Sequence, residues 1–188
     1  MSDFIKVDRD IITACINRSE RAEHELYNLT YSYLMSICLR YTNQREEARS
    51  MLNMGFFKIL SNLKKFDLNT SFGSWIHKIM VNTLIDEYRK KKIQQDRTLY
   101  VENYEEVRED TSVNNALVKM DVEQIHELIM KLPPVSQKVF NLYAIDGYTH
   151  KEIGELLGIS EVTSRWHFNL SRTRLQEMIL KINPSLKK

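Results

Sequence analysis

An all-α fold divided into two small helical domains is what this sequence predicts, and three observations carry it. Gly and Pro are scarce, five and three in 188 residues, while Leu, Ile, Met, Glu and Lys are abundant. Apolar side chains recur at helical spacing over most of the chain. Residues 93–115 lose that period and become polar and charged, which places a flexible acidic linker between a domain at 1–92 and another at 116–188.

The elements follow in order. A first amphipathic helix opens on acids at 8–17 and carries Ile11, Ile12 and Cys15. A longer one, 22–41, sets Leu26, Leu29, Tyr33, Leu34, Ile37 and Cys38 at helical spacing, and Asn43 and Gln44 mark the turn after it. The third, 46–63, turns Ala48, Met51, Leu52, Phe56, Ile59 and Leu60 inward. A loop then feeds a fourth helix that ends in the cationic run Arg89, Lys90, Lys91 and Lys92. Four helices of this length make one bundle. After the linker, Leu117, Met120, Ile125, Leu128 and Ile129 lie on a helix that stops at Leu132, because Pro133 and Pro134 cannot continue it. Residues 135–145 form the next helix, closed by Asp146 and Gly147. Thr149 with Glu152 fits a capping box, Ile153, Leu156 and Leu157 give a short helix its apolar side, Gly158 permits a tight turn, and Ser160 caps a last helix reaching about Leu180.

Bulk properties exclude several classes. Net charge is only +2, but its placement is uneven: 89–97 is basic, whereas 102–110 holds five acids against Arg108. Cys15 and Cys38 sit in apolar helical segments and read as small buried hydrophobes, and no Cys/His cluster has zinc-like spacing, so neither metal nor cofactor is expected. The start, MSDFIKVDRD, has acids where a signal peptide is basic, and no segment reaches roughly 18 uninterrupted apolar residues. A soluble cytoplasmic protein without membrane insertion is expected. No nucleophile, acid–base pair or phosphate-cradling Gly loop appears; Gly154 and Gly158 do not form one, and His24, His77, His126, His150 and His167 lack partners at useful spacing. Neither enzymatic activity nor a small-molecule substrate is expected.

Two stretches point to nucleic acid. Phe66, Phe72 and Trp75 flank the loop before the fourth helix. On that helix Ile76, Ile79, Met80 and Leu84 share one side, and Trp75, Lys78, Asn82, Asp86 and Arg89 share another. One large aromatic, an amide and cations in a single stripe suit unpaired nucleic acid, since aromatics stack on bases and cations neutralise phosphate. The competing reading makes Trp75 a core residue and the terminal cations a complement to the helix dipole. Near the other end, a capped short helix, a turn containing Gly and a longer basic helix form a helix-turn-helix pattern. There Ser164, Phe168, Ser171 and Leu175 point inward, and Arg165, Trp166, Asn169 and Arg172 share the outward face, where Arg suits guanine and Asn suits adenine. Thr149, Lys151, Ser160 and Thr163, at the starts of the two helices, complete this candidate duplex surface. An ordinary helical hairpin with a solvated basic face is the competing reading, and Trp166 packed on a neighbouring helix is another.

Taken together, AEHELYNLTYSYLMSICLRYTNQREEA, GFFKIL, KFDLNTSFGSWIHKIMVNTLIDEYRKKK and LPPVSQKVFNLYAIDGYTHKEIGELLGIS resemble a bacterial RNA polymerase sigma factor of the extracytoplasmic-function type, which has only the second and fourth conserved regions. The resemblance implies core RNA polymerase and promoter DNA, both duplex and single-stranded, as partners, and an anti-sigma protein, often membrane-bound, as regulator. It implies that the third helix docks on the coiled coil of the largest polymerase subunit, through Ala48, Met51, Leu52, Gly55, Phe56 and Ile59. It implies a pocket for a flipped base of the minus-ten element in the loop around Asp67 to Ser71, with Phe66, Asp67, Leu68 and Asn69, and it matches Asn82, Asp86 and Arg89 to an N-x-x-x-D-x-x-R pattern. The last helix would read the minus-thirty-five element, and the polymerase flap would hold the second domain. Arg49, Ser50 and Met54 stand where the family usually carries acids on the docking helix, and Leu170 stands where a basic residue is usual.

Two rival readings remain at the level of sequence. One is a stand-alone helix-turn-helix regulator that binds duplex DNA without polymerase; the other is a decoy that binds an anti-sigma partner and no promoter.

Overall fold

The structure, a computed structural model, describes Ile5, residues 7–95 and residues 122–182, with side chains described through Lys91 and again from Glu123. Every regular element among the described residues is helical. The chain separates into two compact units, Met1–Gln95 and Asp96–Lys188. Most of the expected linker, 96–115, and the start of the helix expected from 116 lie outside the described residues.

The first unit holds α1 (Arg9–Ile16), α2 (Glu20–Tyr41), α3 (Arg45–Asn62), a short 3-10 turn (Leu63–Lys65) and α4 (Phe72–Gln95). Asp8 caps α1 by accepting the Asp10 N–H at 3.2 Å, and Ser19 caps α2 by accepting that of Ala22 at 3.4 Å. α2 packs on α1, α3 and α4, and α3 packs on α4, so α2 is the hub of the bundle. The core is almost wholly apolar: Leu26, Leu34, Ile37, Leu52, Ile59, Leu63, Ile76, Met80 and Ile85 are sealed from water. Cys15 and Cys38 lie in that core, and burial pushes the Cys38 thiol up to about 12, so it is a small hydrophobe and not a nucleophile. α4 runs three residues further than expected, to Gln95, into the stretch assigned to the linker.

The second unit holds α5 (Val122–Met130), α6 (Pro134–Phe140) continuing into a wide turn of π-type pitch (Asn141–Ile145), α7 (His150–Leu157) and α8 (Glu161–Ile182). The helix expected at 135–145 is therefore one α-helical piece and one looser piece. The Tyr148 N–H then reaches back to the Leu142 carbonyl at 2.9 Å, and Gly147 takes a left-handed φ of 78° to end the element. α8 is the hub here, packing on α5, α6 and α7. One apolar cluster joins Leu128, Ile129, Leu132, Leu175 and Ile179. In the rest of this unit Val139, Leu142, Ile153 and Leu157 are buried as well, and a polar seam is buried with them: Ser136, Asn141, His150, Ser164, His167 and Ser171.

That seam corrects the expectation that the histidines lack partners. Ser136 Oγ and His167 Nδ1 are 2.9 Å apart, the Ser171 hydroxyl donates to the Ser136 carbonyl at 2.9 Å, and His150 Nδ1 lies 3.0 Å from Ser164 Oγ. In the first unit His77 Nδ1 meets Tyr33 Oη at 2.9 Å. All three histidines are buried, so these contacts satisfy polar groups within the packing and offer no substrate a route to them.

Candidate nucleic-acid interface

The first candidate face is built on the N-terminal half of α4 and the segment before it. Ser71 opens the helix: its Oγ accepts the Ser74 N–H at 3.3 Å and its carbonyl accepts the Trp75 N–H at 3.1 Å. Phe66, Phe72 and Trp75 form a mutual cluster, with ring centroids 5.2 Å apart for Phe66–Phe72, 5.1 Å for Phe66–Trp75 and 5.9 Å for Phe72–Trp75. Phe72 is buried and anchors the trio, whereas Phe66 and Trp75 are half-buried, each leaving part of its ring to solvent. Further along, Lys78, Asp86 and Arg89 are exposed and Asn82 is half-buried. The five residues of the expected stripe thus lie together on the outer side of α4, while Ile76, Met80 and Leu84 are inside.

Beside this stripe runs an open cleft of about 310 Å³. Trp75, Ile79, Asn82 and Thr83 of α4 line one wall, and Lys58, Asn62 and Lys65 of α3 and the 3-10 turn line the other. The volume is at the lower end for small-ligand clefts, and its walls offer an aromatic edge, two amides and two ammonium groups. The loop expected to supply a base pocket does not line it. Asp67 Oδ1 accepts the Asn69 backbone N–H at 2.9 Å and its side-chain amide at 3.0 Å, and the Thr70 hydroxyl donates to the Asp67 carbonyl at 2.7 Å. These bonds fold the loop onto itself, leaving Leu68 and Asn69 on the surface beside the aromatic trio. Sequence reasoning gave no role to Lys58, Asn62 or Lys65, because Lys58 and Asn62 belong to another helix and Lys65 to the turn after it, and no helical periodicity joins them to α4.

The residues expected to dock polymerase require a correction. Ala48, Met51, Leu52, Gly55, Phe56 and Ile59 are all buried against the bundle. Buried side chains cannot form a surface, so these six hold α3 in place, as their inward periodicity predicts. The exposed side of α3 carries Glu46, Arg49, Ser50, Asn53, Met54 and Phe57, with Phe57 71% and Met54 38% accessible. Arg49, Ser50 and Met54, the departures from the family pattern, all stand on that exposed side.

The second candidate face belongs to α7 and α8. The Glu152 carboxylate accepts the Thr149 N–H at 2.8 Å and the Thr149 hydroxyl at 2.7 Å, completing the expected capping box. Gly158 adopts the left-handed φ of 67° that closes α7, and a Cβ on Gly154 would stand 2.8 Å from the Ile159 carbonyl, so the turn needs both glycines. Ser160 caps α8, accepting the Thr163 N–H at 2.9 Å. Ser164, Ser171 and Leu175 are buried, Phe168 is half-buried, and Arg165 and Arg172 are exposed with Trp166 and Asn169 half-buried beside them. Lys151 and Ser160 are exposed at the helix starts. Arg165 pairs with Glu161 one turn earlier at 2.6 Å, and Trp166 rests its ring edge-on against His167 at 4.9 Å. Below this surface His150 stacks on Tyr143 at 4.2 Å, and burial with the Arg165 cation nearby holds its pKa below the ordinary imidazole value.

No helix among the described residues is long and apolar enough to cross a membrane. Comparison with known proteins adds the evidence of kinship. The description "Sigma-70 region 2" matches residues 26–93, and "Sigma-70, region 4" matches residues 122–175. The ECF RNA polymerase sigma factor SigW of Bacillus subtilis is 27% identical over 154 residues, covering 78% of this chain and 82% of that protein. SigM of Mycobacterium tuberculosis, of the same kind, is 21% identical over 177 residues, covering 94% and 86%. Among solved structures, the sigma factor RpoE in complex with the anti-sigma factor NepR from Bartonella quintana aligns with a TM-score of 0.51 at 15% identity, covering 85% of this chain and 97% of that one, a likeness of fold. The two matched regions fall one in each compact unit, and a stand-alone regulator is not favoured by that pairing. An aromatic, cationic face in the first unit, a capped helix-turn-helix in the second and these matches together place the chain in the sigma-70 family, as an RNA polymerase sigma factor of the extracytoplasmic-function type.

Proposed function

We propose that this sigma factor reads a promoter in two physical states, unpaired DNA on the α4 face of its first unit and duplex DNA on α8 of its second. The observation that carries the reading is the cleft beside the aromatic trio. Its Trp75 and Asn82 supply a stacking surface and an amide for a base edge, and cations stand on both sides. Melted DNA offers unstacked bases to such a cleft; intact duplex does not. In this reading Phe66, Trp75 and Asn82 engage minus-ten bases, Lys78 and Arg89 neutralise phosphate, and Leu68 and Asn69 border the loop side. The solvent-facing side of α8 suits the major groove: Arg165 and Asn169 face base edges, and Lys151, Ser160, Thr163 and Arg172 approach phosphates of the minus-thirty-five element. Thr149 serves mainly as the cap that aims α7.

Docking to core polymerase falls to the exposed side of α3, centred on Phe57 and Met54. Assembly with polymerase puts the protein in the cytoplasm, acting as an initiation factor without chemistry of its own. The complex formed by the RpoE relative suggests an anti-sigma partner here as well. Run-off transcription with core polymerase and a promoter library tests the whole reading: new start sites that appear only with this chain support it. Duplex binding with no initiation would overturn it.

A further inference from the structure

Two cations on the α3 side of the cleft, Lys58 and Lys65, lie in separate stretches of the sequence and carry no role read from it, yet the fold gives them one address. With Asn62 between them they follow a four-then-three spacing and share one side of α3 and its 3-10 extension. Complementing the α3 dipole does not explain Lys58. It stands a full turn before the helix ends, and its ammonium reaches across to Asp86 Oδ2 of α4 at 3.4 Å. Asp86 is itself out of place electrostatically, an exposed carboxylate between Asn82 and Arg89 on a face that otherwise attracts phosphate.

We propose that Lys58 and Lys65 form the second wall of the nucleic-acid path, neutralising the phosphates that flank a base seated in the cleft, and that Asp86 is the positioning residue that holds Lys58 at the rim. The inference rests on the reading of this face as a single-strand site. A lysine ammonium on four methylenes samples many rotamers, and beside Lys65 it would swing outward, away from like charge. The Asp86 carboxylate restrains it at the cleft mouth. Because both partners are solvent-exposed, their pairing adds little to folding stability, and its use lies in placement.

The test titrates the full chain with fluorescent random-sequence single-stranded DNA across a salt series. Lys58→Gln should weaken binding about five-fold at low salt and lower the slope of log affinity against log salt by about 0.7, the signature of one lost phosphate contact. Asp86→Asn gives the sharper result. Removing a negative charge from a DNA-binding face should by simple electrostatics tighten binding, whereas loss of Lys58 placement weakens it about two-fold or more and leaves no further weakening in the Lys58→Gln background. Asp86→Glu should restore binding. Tighter binding by Asp86→Asn, or an unchanged salt slope for Lys58→Gln, overturns the proposal while the single-strand reading stands. Wild-type protein that fails to bind unpaired DNA overturns both.

Discussion

The two units meet DNA with surfaces of opposite shape, and their interiors differ to match. The first presents a cleft between two helices, and its core is nearly all apolar, with Leu26, Leu52, Ile76, Met80 and Ile85 filling the bundle. The second presents one helix supported from below by a polar seam, Ser136–His167–Ser171 on one flank and His150–Ser164 on the other. Apolar packing is non-directional and sets how close α3 and α4 lie, which would suit the seat proposed for an unpaired base. Directional hydrogen bonds fix the rotation of a helix about its own axis, which suits side chains that must match base edges. Among the described residues the ion pairs between helices, Lys58–Asp86 and Lys91–Glu47, lie in the first unit, while Lys90–Glu87 there and Arg165–Glu161 and Arg174–Glu177 in the second each stay within one helix.

The contrast can be broken most forcefully in the first core. Phe56→Ala should cost about 3–5 kcal/mol, because Phe56 is buried against Tyr27 with ring centroids 5.0 Å apart. Thermal melting should show the loss, whereas Phe57→Asp, one position along, should leave the melting temperature near wild type and abolish co-purification with core polymerase. Retained assembly in Phe57→Asp would move the docking face off α3.

A crossed pair of substitutions separates the two DNA faces. Trp75→Ala should reduce affinity for unpaired DNA by about 1–3 kcal/mol and leave duplex recognition intact. Arg165→Ala should do the reverse, with a loss of about 1–3 kcal/mol on duplex promoter. Fluorescence anisotropy with both DNA forms checks the cross, and equal losses on both forms would remove the division of labour. The polar seam gives the next effect: Ser136→Ala should destabilise the second unit by about 1–3 kcal/mol, since His167 loses the hydroxyl beside its Nδ1. A chemical-denaturation midpoint unchanged by Ser136→Ala would deny the seam its role.

The smallest expected effect is on pH. His150 has a lowered pKa in the fold, chiefly from burial and then from the Arg165 cation, while the unfolded chain titrates near the ordinary value of about 6.5. Above about pH 6.5 both states are neutral and the stability is fully present; as pH falls below it, the unfolded chain binds a proton that the folded chain resists. The second unit should therefore melt earlier as pH drops from about 7 toward 5.5, and an unchanged melting temperature over that range would argue against a neutral, stacked His150.

The amino-acid order alone carried the helices, because helical periodicity and caps are written within a few residues: Ser19, Ser71, Ser160 and the Thr149–Glu152 box all cap the helices that follow them. It also placed the Trp75 to Arg89 stripe outward, since one helix face is a local property. The covered side of α3 was legible too, since Ala48, Met51, Leu52, Phe56 and Ile59 recur at inward spacing. Tertiary structure alone decided how far Met54 and Phe57 of the same helix stand clear of the packing of α2 and α4. The same holds for the cleft, for Lys58 with Asp86 at a separation of 28 residues, and for Ser136 with His167 at 31. Such pairs are made by the chain's return through space, and no periodicity along the sequence encodes where it returns.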